Sequence, residues 1–225
     1  MKNIGLIGCG NIAETYFRSQ DYFNNVKFIA CADKYPEAAK KCADQYGIQS
    51  LSVDQILVDS NIDIVLNLTI PQAHYGVSKQ ALEAGKHVYS EKPMSIKFDE
   101  ANHLIEIAKK NNLYFGNAPD TFLGGGGQTA RQLIDEGEIG QILTGNFIFA
   151  FPGVQEFHPN PESWFQQGGG PAIDMGPYFF TTLVNLLGPA INVRARGKKF
   201  FDKKKYLAGP KKGKFFDIEI PTSVM

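Results

Sequence analysis

Gly8-Cys9-Gly10-Asn11-Ile12-Ala13 follows a short apolar run at 3–8 and opens a stretch of helical character at 11–19. That order, strand then glycine turn then helix, restricts what the first half of the chain can become. Gly8 permits the tight turn, Gly10 lets backbone approach a pyrophosphate, and Ala13 allows close helix–strand packing. Asn11 and Ile12 lie where the helix start offers free N–H groups to phosphates. A lone G-x-G-x-x-A is a weak signal. Here Asp33 ends a second apolar run, 26–33, at about the spacing of ~20 residues that a dinucleotide fingerprint requires. Asp33 is expected to accept hydrogen bonds from a ribose 2′-hydroxyl and to repel a 2′-phosphate, which favours NAD(H) over NADP(H). Lys34 beside it softens that repulsion.

The rest of the first half repeats the same unit. Helices are predicted at 36–46, 72–84 and 99–111, and buried strands at 63–69, 87–89 and 113–117, with Gly85 as a helix stop. Repeated β-α units with continuously apolar strands predict an α/β fold, a doubly wound parallel sheet of the Rossmann kind. After Phe122 the pattern changes. Four glycines, 124–127, precede a helix to Glu136. A long aromatic-rich strand is predicted at 141–151, a helix toward Leu187, and strands at 193–201 and 215–220. The expected domains are therefore 1–122, dinucleotide-binding, and 123–225, α+β.

Composition excludes more than it selects. The formal net charge is zero, so the whole chain makes no case for nucleic acid or a membrane surface. Between Arg194 and Lys214, ten Lys or Arg residues face the single acid Asp202, a net of +9. That stretch is read as an anion-binding surface or as a solvated connection between strands. The three cysteines, Cys9, Cys31 and Cys42, have neither metal-ligand spacing nor a disulfide pattern, so no metal is expected. With no signal peptide and no apolar run long enough to cross a bilayer, a cytoplasmic location is expected.

Three segments carry candidate chemistry. Glu91-Lys92-Pro93 follows the strand at 87–89, and a lysine at the mouth of a dinucleotide crevice is a candidate proton carrier. Thr69-Ile70-Pro71 lies at a strand's carboxyl end, the rim where ligands bind, so Thr69 and Pro71 are candidate cofactor contacts. His74, just beyond, is read either as a contact or as a capping or packing residue. The third segment is Gly168-Gly169-Gly170 with Asp174 and Tyr178. Taken alone, Asp174 reads first as a helix N-cap, helped by Pro177, and Tyr178 as a core aromatic. Trp164 is read as a sugar-stacking wall or as a cover over the sheet.

GCGNIA with Asp33, TIPQAH at 69–74, EKP at 91–93 and GGGPAIDMGPY at 168–178 together resemble the Gfo/Idh/MocA family of NAD(P)-dependent sugar and polyol oxidoreductases. The resemblance covers nearly the whole chain. It implies an N-terminal Rossmann domain, a second domain on an open, mainly antiparallel sheet, and hydride transfer between nicotinamide and a sugar carbon. It also implies a homo-oligomer formed through that sheet. By position, Lys92 matches the family's catalytic lysine, Glu91 the acid near the nicotinamide ribose, and Asp174 the acid that orients substrate or lysine. Asn117 is expected to approach the nicotinamide side. Catalytic roles are thus expected for Lys92, Asp174 and Tyr178, and substrate contacts for Lys92, Trp164 and Asp174.

The chain departs from the family pattern in three places. Many members carry histidine where this chain has Tyr178; a tyrosine there resembles the glucose–fructose oxidoreductase and dihydrodiol dehydrogenase branches. A neutral imidazole takes a proton readily near neutrality, whereas a phenol is a poor base and a usable acid. More of the proton chemistry then falls on Lys92. In GNAPDTF, 116–122, Asp120 and Thr121 stand where many members have a basic residue. Members also run well over a hundred residues longer, so the second domain is expected to be C-terminally truncated, with PTSVM starting a further strand. The alternative function is a non-catalytic dinucleotide-binding protein, such as a redox sensor.

Overall fold

Six short parallel strands form the sheet of the first half: β1 (Lys2–Ile7), β2 (Val26–Ala32), β3 (Gln49–Ser50), β4 (Ile64–Asn67), β5 (His87–Ser90) and β6 (Phe115–Asn117). They lie in the order β3-β2-β1-β4-β5-β6, which reverses direction at β1, the doubly wound arrangement that places ligands at the strands' carboxyl ends. The computed structural model describes residues 1–158 and 160–225. These divide into two units, Met1–Ala118 and Pro119–Met225.

Alternation along the strands explains the two-sided core of the first unit. Cys31 and Leu66 point to one cluster, with Ala13 and Phe17 of α1 (Ala13–Ser19) and Cys42 and Ala43 of α2 (Pro36–Tyr46). Ala32 and Val65 point to the other. There they meet Ile56 of α3 (Val53–Val58), Ala81 and Leu82 of α4 (Pro71–Glu83), and Leu104 and Ala108 of α5 (Phe98–Lys110). Leu6, Val65, Leu82 and Leu104 are fully buried. Each such side chain contributes about 1.5–3 kcal/mol on leaving water. α4 stops at Gly85, whose φ of +78° closes the turn as expected.

Strand β3 and helix α3 were not expected. Their sequence signal is a capping box. Ser52 Oγ accepts from Gln55 N–H at 3.1 Å, and Gln55 Oε1 accepts from Ser52 N–H at 2.8 Å, just ahead of Ile56-Leu57-Val58.

The second unit holds two helices, α6 (Gly125–Asp135) and α7 (Gly176–Leu187). Arg131 of α6 donates to the carbonyls of Asn185 and Leu186 at 2.9 and 3.0 Å, satisfying acceptors that the end of α7 leaves open. Two small antiparallel pairs follow. β7 (Gly197–Lys198) joins β10 (Ser223–Val224), and β8 (Lys203–Lys205) joins β9 (Phe215–Asp217). Phe165, Tyr206, Phe216 and Ile218 form its buried core. The antiparallel character agrees with expectation, and so does a strand within PTSVM. The strand predicted at 141–151 is absent: no part of it enters a ladder. Strand propensity depends on what a strand pairs with and packs against, and none of the described ladders includes this run. Its aromatics instead meet α7, with Phe147 and Phe149 rings 4.3 and 5.4 Å from Phe179. The strands predicted at 193–201 and 215–220 shrink to β7 and β9, and β8 falls inside the basic stretch. Lysines there pair locally, Lys199 with Asp202 at 2.8 Å and Lys211 with Glu162 at 2.7 Å. Among the described residues, no helix is long and apolar enough to cross a membrane.

Candidate functional site at the carboxyl rim of the parallel sheet

The glycine turn sits directly after β1. Gly8 has φ +105°, and a Cβ there would lie 2.6 Å from the carbonyl carbon and oxygen of Leu68. Only glycine satisfies both conditions. Gly10 is exposed, and a Cβ on it would meet nothing within 4 Å, so the space above the turn is open. Asn11 and Ile12 are exposed in the turn that leads into α1. Asp33, just past β2, accepts from Cys9 N–H at 2.8 Å and from Tyr35 N–H at 2.9 Å. It therefore ties the two loops together while keeping further lone pairs.

At the end of β4 the organising residue is Asn67, fully buried. Its amide donates to His74 O and Ser78 Oγ, both at 3.0 Å. Its Oδ1 accepts from the Thr69 hydroxyl at 2.6 Å and Thr69 N–H at 3.2 Å. Thr69 stays half-buried on the rim, with its hydroxyl proton committed to Asn67. Pro71 is the first residue of α4, where its missing N–H costs nothing.

The structure buries His74. Its ring is 1% exposed, and its nitrogens stand 2.6 Å from Pro93 O and 2.8 Å from Thr69 O. Both ring nitrogens face backbone carbonyls, so the ring ties the two loops together.

At the end of β5, Glu91 N–H donates to Asn67 O at 2.9 Å. The Glu91 carboxylate accepts from the Tyr16 hydroxyl of α1 and from Lys92 N–H, each at 2.9 Å. Asn117, the last residue of β6, donates to the carbonyls of Ser90 and Glu91 at 2.9 and 3.0 Å. The Lys92–Pro93 peptide is cis. Lys92 is half-buried and Pro93 buried. The glycine turn, Asp33, Thr69, Glu91, Lys92 and Asn117 thus share one rim.

In the second unit, Asp174 does not cap the helix. It lies in a π-helical turn, Pro171–Met175, and the N-cap of α7 is Met175 with no side-chain capping bond. Asp174 and Trp164 both line a cavity of about 560 Å³ with an apolar wall of Phe149, Phe151 and Phe165. Tyr178 falls in the first turn of α7 and is half-buried.

Sequence reasoning missed Asn67 and Tyr16. Asn67 had a signal, a polar amide inside the apolar strand run DIVLNLT. Tyr16 had none, because its partner Glu91 is 75 residues away. The fold brings the Sγ atoms of Cys9, Cys31 and Cys42 within 4.8 Å of one another, an arrangement their linear spacing does not reveal.

Comparison with known proteins places these features. Residues 2–118 match the model of an oxidoreductase family with an NAD-binding Rossmann fold, and residues 128–223 match the Gfo/Idh/MocA C-terminal domain. A D-xylose dehydrogenase of Paenarthrobacter nicotinovorans is 30% identical over 65% of this chain and 39% of its own length. An inositol 2-dehydrogenase of Rhizobium meliloti is 24% identical over 88% of this chain and 59% of its own. The structure of a levoglucosan dehydrogenase with NADH and L-sorbose superposes with a TM-score of 0.84 at 23% identity, covering 100% of this chain and 62% of that one. The chain thus spans about two fifths to three fifths of these relatives' lengths. With both of its units matched by the models for that family, the chain belongs to the Gfo/Idh/MocA oxidoreductases.

Proposed function

We propose that this chain acts in an NAD(H)-dependent oxidoreductase whose substrate is a sugar, polyol or related alcohol or carbonyl compound. The observation that carries the reading is the hydrogen-bonded rim that holds Lys92 on the same edge of the sheet as the Gly8–Gly10 turn. The residues present fit a dinucleotide. Gly8 allows the turn, the space over Gly10 is open to a pyrophosphate, and Asp33 offers carboxylate lone pairs to a ribose. Asn11, Ile12, Thr69, Pro71, Glu91 and Asn117 surround that path. When bound, a nicotinamide dinucleotide supplies or accepts the hydride.

Lys92 Nζ holds or moves the proton. In alcohol oxidation the neutral amine takes the hydroxyl proton, and in carbonyl reduction the ammonium returns it to the developing alkoxide. Glu91 positions this lysine through its main-chain N–H and anchors the loop to α1 through Tyr16. Asp174 is proposed to orient substrate hydroxyls and Trp164 to stack against a sugar face, supported by their shared cavity. Tyr178 is proposed as an auxiliary acid. Asp33 favours NAD(H), because a 2′-phosphate would meet a like charge. A sugar-like substrate is supported by the D-xylose and inositol dehydrogenases among the relatives. Homo-oligomerisation through the second unit is proposed as well, supported by exposed apolar residues such as Ile191 and Val193.

The test is a titration of NADH fluorescence combined with turnover on a panel of aldoses, ketoses and polyols, for the wild type and Lys92→Met. The expected result is turnover that falls at least ~10²-fold in the variant with cofactor affinity changed by less than about threefold. Retained turnover in the variant overturns the role of Lys92. Wild-type binding of NADH without turnover on any substrate favours a non-catalytic dinucleotide-binding protein.

A further inference from the structure

All three cysteines of the 225-residue chain converge on one point of the first unit, with their Sγ atoms within 4.8 Å of one another. They come from three different elements. Cys9 is the middle residue of the glycine turn, Cys31 lies on β2, and Cys42 on α2. Cys31 and Cys42 are buried and Cys9 is half-buried, so the cluster is closed on the core side and reachable from the turn. A core needs only apolar volume at such a place, and any small hydrophobe supplies it. Three sulfurs meeting from positions 9, 31 and 42 supply something else, a set of soft donors aimed at a common centre.

The distances suit that use. Metal–thiolate bonds of about 2.3 Å place three sulfurs around one ion about 4 Å apart. A disulfide would use two thiols at about 2.05 Å and strand the third. We propose that Cys9, Cys31 and Cys42 form a three-thiolate site for a soft, thiophilic divalent metal ion of the zinc and cadmium class. Soft thiolate donors select such ions over magnesium or calcium. Binding involves no change of oxidation state. Three S–H bonds give their protons to solvent, three metal–sulfur bonds form, and the cluster carries one net negative charge with a divalent ion. In the metal-free protein the thiols bond weakly among themselves and to nearby carbonyls, Cys9 to Ala32 O at 3.6 Å and Cys31 to Ala39 O at 3.3 Å. The Cys31 thiol is pushed down by a hydrogen bond from Cys9, against the effect of burial. Burial pushes Cys42 up to about 11.

The experiment titrates Cd²⁺ into the full chain, reduced with a non-thiol reductant and freed of metal. Expected are an ultraviolet sulfur-to-cadmium charge-transfer band that saturates at one ion per chain, and protection of Cys9 from a thiol-reactive label. In Cys42→Ala and in Cys9→Ser the affinity should fall at least tenfold. Cys9→Ser is the safer fold control because that side chain is only half-buried, and circular dichroism checks that each variant is folded. Absence of the band overturns the site, as does a band that survives in both folded variants. Loss of two thiols without metal, reversed by reductant, identifies a disulfide pair instead and equally overturns it.

Discussion

His74 Nδ1 stands 2.6 Å from the carbonyl oxygen of Pro93, while Nε2 of the same ring stands 2.8 Å from Thr69 O. One buried imidazole therefore joins the end of β4 to the loop that carries Lys92. Which ring nitrogen donates to which carbonyl depends on the tautomer. Replacing His74 by alanine leaves both carbonyls without their ring partner and opens a cavity. The expected cost is about 2–4 kcal/mol in a denaturant melt of the chain. Under the proposed function, kcat should fall more than cofactor affinity, because the clamp positions Lys92 and leaves the glycine turn intact.

Gly8 and Gly10 should separate folding from ligand binding. Gly8→Ala puts a methyl group 2.6 Å from the Leu68 carbonyl at a φ of +105°, so the variant should lose several kcal/mol or fail to fold. Gly10→Ala meets nothing within 4 Å and should melt within about 1 kcal/mol of the wild type. Its NADH affinity should nevertheless drop, since the methyl group fills the space a pyrophosphate would use. Thermal melts and NADH titrations on both variants distinguish the two roles.

Asp33 does two jobs that a substitution can separate. Its carboxylate holds Cys9 N–H and Tyr35 N–H, and it is proposed to repel a 2′-phosphate. Asp33→Asn keeps acceptor capacity on one oxygen and removes the charge. The ratio of NADPH to NADH affinity should rise by about tenfold, which corresponds to roughly 1.4 kcal/mol. An unchanged ratio would show that Asp33 serves the loops alone.

Acid stability should report on Asp63. A hydrogen bond from Lys2, then one from Asn3 N–H, holds its carboxyl below the usual range in spite of partial burial. A group whose folded pKa is depressed stabilises above its unfolded value, about 3.9 for aspartate, and loses that contribution as pH falls through the lower folded value. Asp63→Asn should cost about 1 kcal/mol at pH 7. The difference from wild type should shrink as pH falls through the depressed folded value and vanish only below it, measured as urea midpoints across pH.

Much of the first unit was legible because its signals are local. Gly8, Gly10, Ala13 and Asp33 stand at a fixed spacing across one turn and two strand ends, so the pattern reads from sequence even though Asp33 reaches Cys9 and Gly8 packs on Leu68. Pro36–Tyr46 was bounded correctly because proline and Gly47 mark its two ends. The α3 helix was missed although Ser52 and Gln55 announced it. Asn67 and Tyr16 organise the rim through partners in other elements, and nothing local singles out Tyr16.

Sequence by itself determined the parallel sheet, the glycine turn and the rim residues other than Asn67 and Tyr16, since strand period, turn chemistry and helix stops are properties of neighbours in the chain. Tertiary structure decided the rest. It made His74 a buried clamp, moved Asp174 out of the capping position and denied 141–151 its ladder. It also gathered Cys9, Cys31 and Cys42 from a turn, a strand and a helix. The physical reason is common to His74, the 141–151 run and the cysteines. A hydrogen-bond acceptor, a ladder partner and a sulfur triad are each completed by atoms far away in sequence, and only folding sets those distances.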